Sequence, residues 1–185
     1  MKFTLKTLLL LLLVSAFGCS SIRVSQDYNS NRNLTSLRTY AWHYNSQEKT
    51  GDLRIDSPLI DARIRTAIDE TLTARGYRKT SRDLAEFHIS YQYAIRGKVQ
   101  SDRVQTSIGF GFGSYNRHGG FGVSTGSDVN QYDEGLLVIN ILDSRDGSTL
   151  WQGKGTRQVF VHTEPEKLTR QINETVHKIL DQFPP

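Results

Sequence analysis

The sequence predicts an α+β domain: an antiparallel or mixed β-sheet with two amphipathic helices packed on one face. Three patterns carry this prediction. Ile60, Ile64, Ile68 and Leu72 recur every fourth residue with Ala67 beside them, so one face of a helix is apolar. Phe87, Ile89, Tyr91, Tyr93 and Ile95 alternate with His88, Ser90, Gln92, Ala94 and Arg96, the period of two of a half-buried strand. Leu168, Ile172, Val176, Ile179 and Phe183 lay a second apolar stripe along the C-terminal segment.

The chain has 185 residues, and the first eighteen read as an export signal and not as part of the domain. Lys2 and Lys6 precede a mostly apolar run over residues 8–17, too short for a bilayer core, which takes about twenty helical residues. Gly18-Cys19 then resembles a bacterial lipobox, in which a small residue precedes a cysteine that becomes diacylated and N-terminal. Ala16 and Phe17 depart from the usual residues at the two positions before Gly18. The resemblance implies a lipoprotein signal peptide over 1–18, lipidation at Cys19, and a polar lipidated tether over 19–33. The non-acidic Ser20 implies sorting to the outer membrane. An ordinary signal peptide, cut near Ala16 or Gly18, would instead leave Cys19 as a free thiol. Loss of Lys2 and Lys6 lowers the net charge from +4 to +2, and the remaining charges are evenly spread, so no nucleic-acid partner is expected. A single cysteine excludes a disulfide framework.

Residues 34–185 are expected to form one domain. Residues 37–44 are aromatic and β-favouring and predict an early strand, followed by a polar loop to Asp56. Ser57-Pro58 supplies a cap and a first-turn proline for the first helix, and Gly76 ends it. Asp61, Arg63, Arg65, Asp69 and Glu70 are expected on its solvated face, which is a better reading of its arginines than a basic patch. Residues 135–142 are apolar on both faces, as a central strand requires; Asp146-Gly147 turns the chain and Leu150-Trp151 begins the return. Thr163-Glu164-Pro165-Glu166 reads as a capping box for the second helix, and Pro184-Pro185 stops it.

The least ordinary stretch is a glycine-rich hairpin expected at 104–126. Ile108, Phe110 and Phe112 alternate with Gly109, Gly111 and Gly113, and the alternation returns at Gly120, Phe121, Gly122 and Val123. One strand face would be aromatic and the other nearly bare backbone, which admits close approach of another backbone or a flat ring. The candidate contact surface is therefore Gly109, Phe110, Gly111, Phe112, Gly113, Phe121 and Gly122, for a protein partner, a glycan or a lipid. The bland alternative is a loop whose glycines lose much entropy on ordering. No Gly-x-Gly-x-x-Gly or Gly-Lys-Ser/Thr sequence is present, so a phosphate loop is rejected.

No catalytic residues, metal ligands or cofactor emerge. His43, His88, His118, His162 and His177 lie too far apart in sequence for a helical or hairpin ligand pair, and no serine-hydrolase elbow is present. Asp128, Asp133, Glu134, Asp143 and Asp146 read as turn and surface acids, and Trp42 and Trp151 as core or sheet-edge residues.

The pattern as a whole resembles the bacterial lipoprotein family of the domain of unknown function 4136. The resembling residues are Asp27-Tyr28, 37–42 with its Thr-Tyr-Ala-Trp core, and 60–64 through Gly76-Tyr77. They continue through 84–91, 135–143, 147–153 and 178–185. The resemblance implies an α+β envelope lipoprotein and brings no catalytic residues. The expected function is a non-enzymatic binding or scaffold module in the cell envelope, on the periplasmic side of the outer membrane. Its partners would be the membrane, through lipidated Cys19, and an envelope protein. Two alternatives stay open. One is an enzyme or small-ligand carrier for envelope glycan or lipid, its site gathered from His43, His88, His162 and nearby carboxylates. The other is a homo-oligomer joined through the second face of the 136–142 strand.

Overall fold

A computed structural model describes residues 22–44, 47–101, 105–108, 123–126, 129–160 and 163–184. In chain order the elements are β1 (Arg23–Tyr28), β2 (Thr39–Trp42), α1 (Pro58–Ala74), β3 (Arg78–Lys79) and β4 (Phe87–Ser101). They continue with β5 (Gln105–Ile108), β6 (Val123–Gly126), β7 (Val129–Asp143), β8 (Thr149–Val159) and α2 (Pro165–Leu180). Six strands form one mixed sheet in the order β1-β8-β7-β4-β2-β3, while β5 and β6 pair separately. The pairs β1–β8, β8–β7 and β7–β4 are antiparallel; β4–β2 and β2–β3 are parallel. Both helices cover one face, as an α+β domain requires.

The register explains which residues that face buries. Ile89 and Tyr91 of β4 stand in rows with Ile141 and Ile139 of β7 and Trp151 and Gly153 of β8, and Phe87 precedes them on the same face. Ile64, Ile68 and Leu72 of α1 and Val176, Ile179 and Leu180 of α2 close over them, all essentially inaccessible to water. Each fully buried aliphatic or aromatic side chain contributes about 1.5–3 kcal/mol. As its two apolar faces required, β7 is central, with Val138 and Leu142 buried on the face opposite the helices as well. Polar groups also bond across that second face: Asn140 donates to Ser90 Oγ at 3.2 Å and accepts from Gln152 Nε2 at 2.8 Å.

Two glycines set how closely α2 approaches. A Cβ on Gly153 would lie 2.2 Å from Trp151 Cη2 and 2.5 Å from Ile179 Cγ2, and one on Gly155 2.8 Å from Ile179 Cδ1. The Trp151 indole therefore lies along its own strand, over bare backbone, and α2 rests on both.

Helix α1 is fastened by polar groups as well. Tyr40 Oη and Trp42 Nε1 donate to Asp69 Oδ1 at 2.8 and 3.2 Å, and Lys79 Nζ donates to Asp69 Oδ2 at 2.8 Å. Tyr91 Oη donates to Asp61, which also takes Arg65 Nε at 3.3 Å; the Arg65 guanidinium lies 4.2 Å over the Trp42 ring. Burial and then the adjacent carboxylates push the Tyr40 and Tyr91 phenols above their ordinary range, so both remain donors. Asp61, Arg65 and Asp69 are thus a seam between helix and sheet and not the freely solvated face expected of them.

Other local expectations change too. Within the segment 19–33, expected as a polar tether, Arg23–Tyr28 is instead an edge strand paired along Thr156–Trp151. Its six residues are all exposed, so no burial pattern marks it in sequence. Asn33 accepts from Thr35 N at 3.1 Å and opens a single 3-10 turn over Leu34–Ser36. Neither helix has a side-chain cap: Ser57 makes no capping bond, and Thr163 Oγ1 donates back to Phe160 O at 3.0 Å, so the capping box is not formed. Pro58 and Pro165 begin the helices, where a missing N–H costs nothing. Gly76 and Gly147 take positive φ, 87° and 72°, at the two turns where glycine was expected.

At the far end of the sheet, Asp143 is buried and takes Arg145 N at 2.9 Å, Arg145 Nη2 at 3.0 Å and Arg32 Nη2. These donors, Arg145 first, lower its pKa to about 2.

Gly153→Ala is expected to destabilise the domain by about 1–3 kcal/mol, as overpacking does, because Trp151 and Ile179 must both move. Denaturant melts of the two proteins measure this. A folded-state pKa below the ordinary 3.8 means that Asp143 contributes stability above about pH 4, and that this is lost as pH falls towards 2. Asp143→Asn is expected to remove up to about 2 kcal/mol at pH 7 and to flatten the stability profile between pH 4 and 2. Melts across that range, with unchanged slopes for the two proteins, would refute this role.

Candidate functional site

The two helices run in the same direction. Their C-terminal ends meet, where Arg75 just past α1 donates to the carbonyl of Leu180, and Tyr77 and Phe183 lie 5.7 Å apart. Their N-terminal ends separate over Tyr93, and a cleft opens between them. Beside it a pocket of about 210 Å³, with no α2 residue in its lining, lies between the loop before α1, α1 and β4, against Gln47, Ile55, Pro58, Asp61, Tyr91 and Tyr93, among others. The cleft itself, about 200 Å³, is lined by Arg54, Ile60, Tyr93, Ile95, Asp133 and Phe160, among others. An apolar recess of about 30 Å³ reaches between Ile64, Leu137, Leu168 and Ile172. Tyr93 borders all three.

The walls are held by charge. Arg54 donates to Asp52 at 2.7 Å and to Asp133 at 2.7 Å, joining the loop before α1 to β7. This pairing lowers the Asp52 pKa and raises that of Arg54. Asp56 accepts from Thr50 N and Gly51 N, both at 2.8 Å, and these backbone donors lower its pKa as well. Burial pushes the Tyr93 phenol up, partly offset by Arg157 and Arg54. A neutral, donor-competent hydroxyl thus stands in a mainly apolar cleft.

The edge of β4 beside this cleft is open. Strand β2 pairs only as far as Ile89. Beyond it, side chains replace the missing strand: Tyr44 Oη donates to Tyr91 O at 2.6 Å. The Gln47 amide accepts from Tyr93 N at 2.6 Å and donates to Tyr93 O at 3.1 Å. From Ile95 to Ser101, β4 pairs with β7 on one side and with no strand on the other, among the described residues.

The residues singled out from sequence fall differently. Cys19 and Gly109, Phe110, Gly111, Phe112, Gly113, Phe121 and Gly122 lie outside the described residues. The strands flanking the glycine-rich stretch pair antiparallel, Gln105 with Gly126 through Ile108 with Val123. His43 and His88 come together on the opposite sheet face, ring centroids 5.9 Å apart, while His162 lies outside the described residues. Arg82 occupies one nitrogen of each ring: its guanidinium is 3.4 Å from His43 Nδ1 and its carbonyl 3.2 Å from His88 Nε2. Burial, then Arg82 and His88, lower the His43 pKa. Among the described residues no three His, Cys, Asp or Glu side chains gather as metal ligands, and none of the three cavities includes His43 or His88. Trp151 is core and Trp42 partly buried against it, while Asp143 and Asp146 serve the turn. The cleft itself was missed, since Arg54, Tyr93, Asp133 and Phe160 come from four separated segments. The available signals were Leu53, an apolar residue in a polar loop, and Leu59, which lies off the Ile60 stripe.

Among solved structures the fold is similar to a PDZ domain protein from Parabacteroides distasonis, with a TM-score of 0.53 at 14% identity. That match covers 88% of this chain and 36% of the other, so the chain spans little more than a third of that protein's length. A PelC dodecamer from Paraburkholderia phytofirmans matches at a TM-score of 0.44 and 15% identity, covering 86% of this chain and 94% of that one. No curated protein matches the sequence. Among the described residues no helix is long and apolar enough to cross a membrane. The family model described as domain of unknown function DUF4136 matches residues 24–185, nearly the whole folded part, and the chain belongs to that family.

Proposed function

We propose that the protein is an envelope lipoprotein, anchored through Cys19 at the outer membrane, that acts as a non-enzymatic module and captures a protein partner by its open strand edge. The observation that carries this reading is β4 from Ile95 to Ser101. There the strand is fully laddered to β7 on one side and, among the described residues, pairs with no strand on the other. The Gln47 amide, paired to both backbone groups of Tyr93, marks where the protein closes its own edge. Past that point, alternate backbone groups of Ile95 and Gly97 point outward in the same phase as those of Tyr93. An added strand would take its hydrogen bonds there, which is β-augmentation. The glycine-rich stretch continues this arm in sequence beyond Ile108 and supports a partner's close approach.

A second reading, a carrier of a small envelope lipid or glycan fragment, is favoured by the cleft at Tyr93, about 200 Å³, and the pocket of about 210 Å³ beside it. In it the tyrosine hydroxyl would orient a mainly apolar ligand.

The test is crosslinking in cells of the full lipidated protein, followed by capture and mass spectrometry, with Gly97→Pro as the variant. Proline at Gly97 removes one outward donor without touching the β7 side, so the fold is expected to melt within a few degrees of the parent. Partner recovery is expected to fall by roughly tenfold, the effect of losing one or two hydrogen bonds. Valine at Gly109, Gly111 and Gly113 is expected to weaken the same capture. Recovery unchanged by Gly97→Pro would contradict the strand-edge reading. A lipid or glycan co-purifying in place of a protein would favour the carrier.

A further inference from the structure

We infer that the domain rests on the bilayer beside Tyr93, with Leu53, Leu59 and Phe160 entering its headgroup region; the β4–β7 arm beyond Gly97 then lies along the surface and not across it, with its open edge free. This inference rests on acylation of Cys19 and adds the orientation of the domain.

The first argument is reach. Arg23 pairs with Thr156, and β1 runs antiparallel to β8 away from that point, so the chain before Arg23 leads towards the end where Val159 and Phe160 lie. Arg23 Nη2 donates to Glu134 at 2.9 Å and fixes the start of β1 to β7. Four residue steps separate Cys19 from Arg23, which span at most about 14 Å when extended. A cysteine whose acyl chains sit in the membrane therefore holds this end, and not the Asp143 end, against the surface.

The second argument is exposure. Leu53 is 90% exposed, Leu59 65% and Phe160 57%. Single exposed apolar residues are ordinary on a soluble surface. Phe160 lines the cleft, and Leu53 and Leu59 are the chain neighbours of Arg54 and Ile60, which also line it, so all three belong to the end from which the chain leads to Cys19. At the opposite end Leu84, beside the start of β4, is 73% exposed and Tyr28 47%, so the grouping of the three with the start of the chain, and not exposure alone, marks this end.

Charge favours apolar contact over attraction to anionic lipid. Arg54 is held by Asp52 and Asp133, and Lys167 lies 5.9 Å from the Phe160 ring centroid, with Glu164 and Glu166 exposed nearby on the first turn of α2. The three apolar side chains need little affinity of their own, because a tether this short makes their insertion an intramolecular event.

The test uses the full lipidated protein, whose only native cysteine is consumed by lipid. Single cysteines placed as Leu53→Cys, Phe160→Cys or Leu84→Cys carry a fluorophore on phosphatidylcholine vesicles containing nitroxide-labelled lipid. Quenching at positions 53 and 160 is expected to exceed that at 84 several-fold. Flotation with the vesicles and the mass of the N-terminal peptide report anchoring separately. A protein that floats with acylated Cys19 but shows equal quenching at the three positions, or most at 84, overturns the orientation alone. A protein with unmodified Cys19 that does not float overturns the anchoring, and the orientation with it.

Discussion

Phe183, three residues beyond the end of α2, lies with its ring centroid 5.2 Å from Trp151, 5.7 Å from Tyr77 and 6.0 Å from Phe87. Those partners come from β8, from the turn after α1 and from β4, so one side chain ties the sheet to both helix C-termini. Arg75, bonded to the last carbonyl of α2, completes the join with a charged donor. The sheet covers only one face with helices, and both must share it. Once their C-terminal ends are pinned together over a cluster of mutually tilted aromatic rings, their N-terminal ends are the ones that can diverge.

The rest of the molecule follows from that asymmetry. At the pinned end Gly153 lets α2 approach to contact distance, and Asp143 gathers two arginines around the β7–β8 turn. At the other end the space between the helices is filled only partly, by Tyr93, and is walled by the Arg54–Asp133 pair. There the chain enters the sheet at Arg23, β4 loses its β2 neighbour, and Leu53, Leu59 and Phe160 stand in solvent. Stability is concentrated at one end, and every feature suited to a partner or a membrane at the other. The tyrosine–carboxylate seam of Tyr40, Tyr91, Asp61 and Asp69 runs between them and keeps α1 aligned along the sheet.

Most of the core was legible in the sequence because each element has its own period. The fourfold spacing of Ile60 to Leu72, the alternation from Phe87 to Ile95 and the doubly apolar 135–142 segment follow directly from one-sided or two-sided burial. Strand β1 was not legible because all six of its residues are exposed and its role is to pair an edge. Strand β3 has two residues and takes its register from β2. The polar seam misled for a different reason: acids and arginines interleaved on a helix look solvated unless one knows that tyrosines and a tryptophan face them from the sheet. The cleft was illegible because its walls meet only through tertiary packing. Its surroundings leave a faint mark, apolar residues at 53 and 59 where neither loop nor helix stripe calls for them.

Amide-by-amide native-state hydrogen exchange on the full protein tests the division between a pinned end and an open end. The amides of Ile139, Ile141, Trp151 and Ile179 should exchange only through global unfolding. Those of Tyr93 and Leu168, held by a glutamine side chain and by the first turn of α2, should open at a small fraction of that free energy. Equal protection at both ends, or earlier opening around Phe183, would contradict the account.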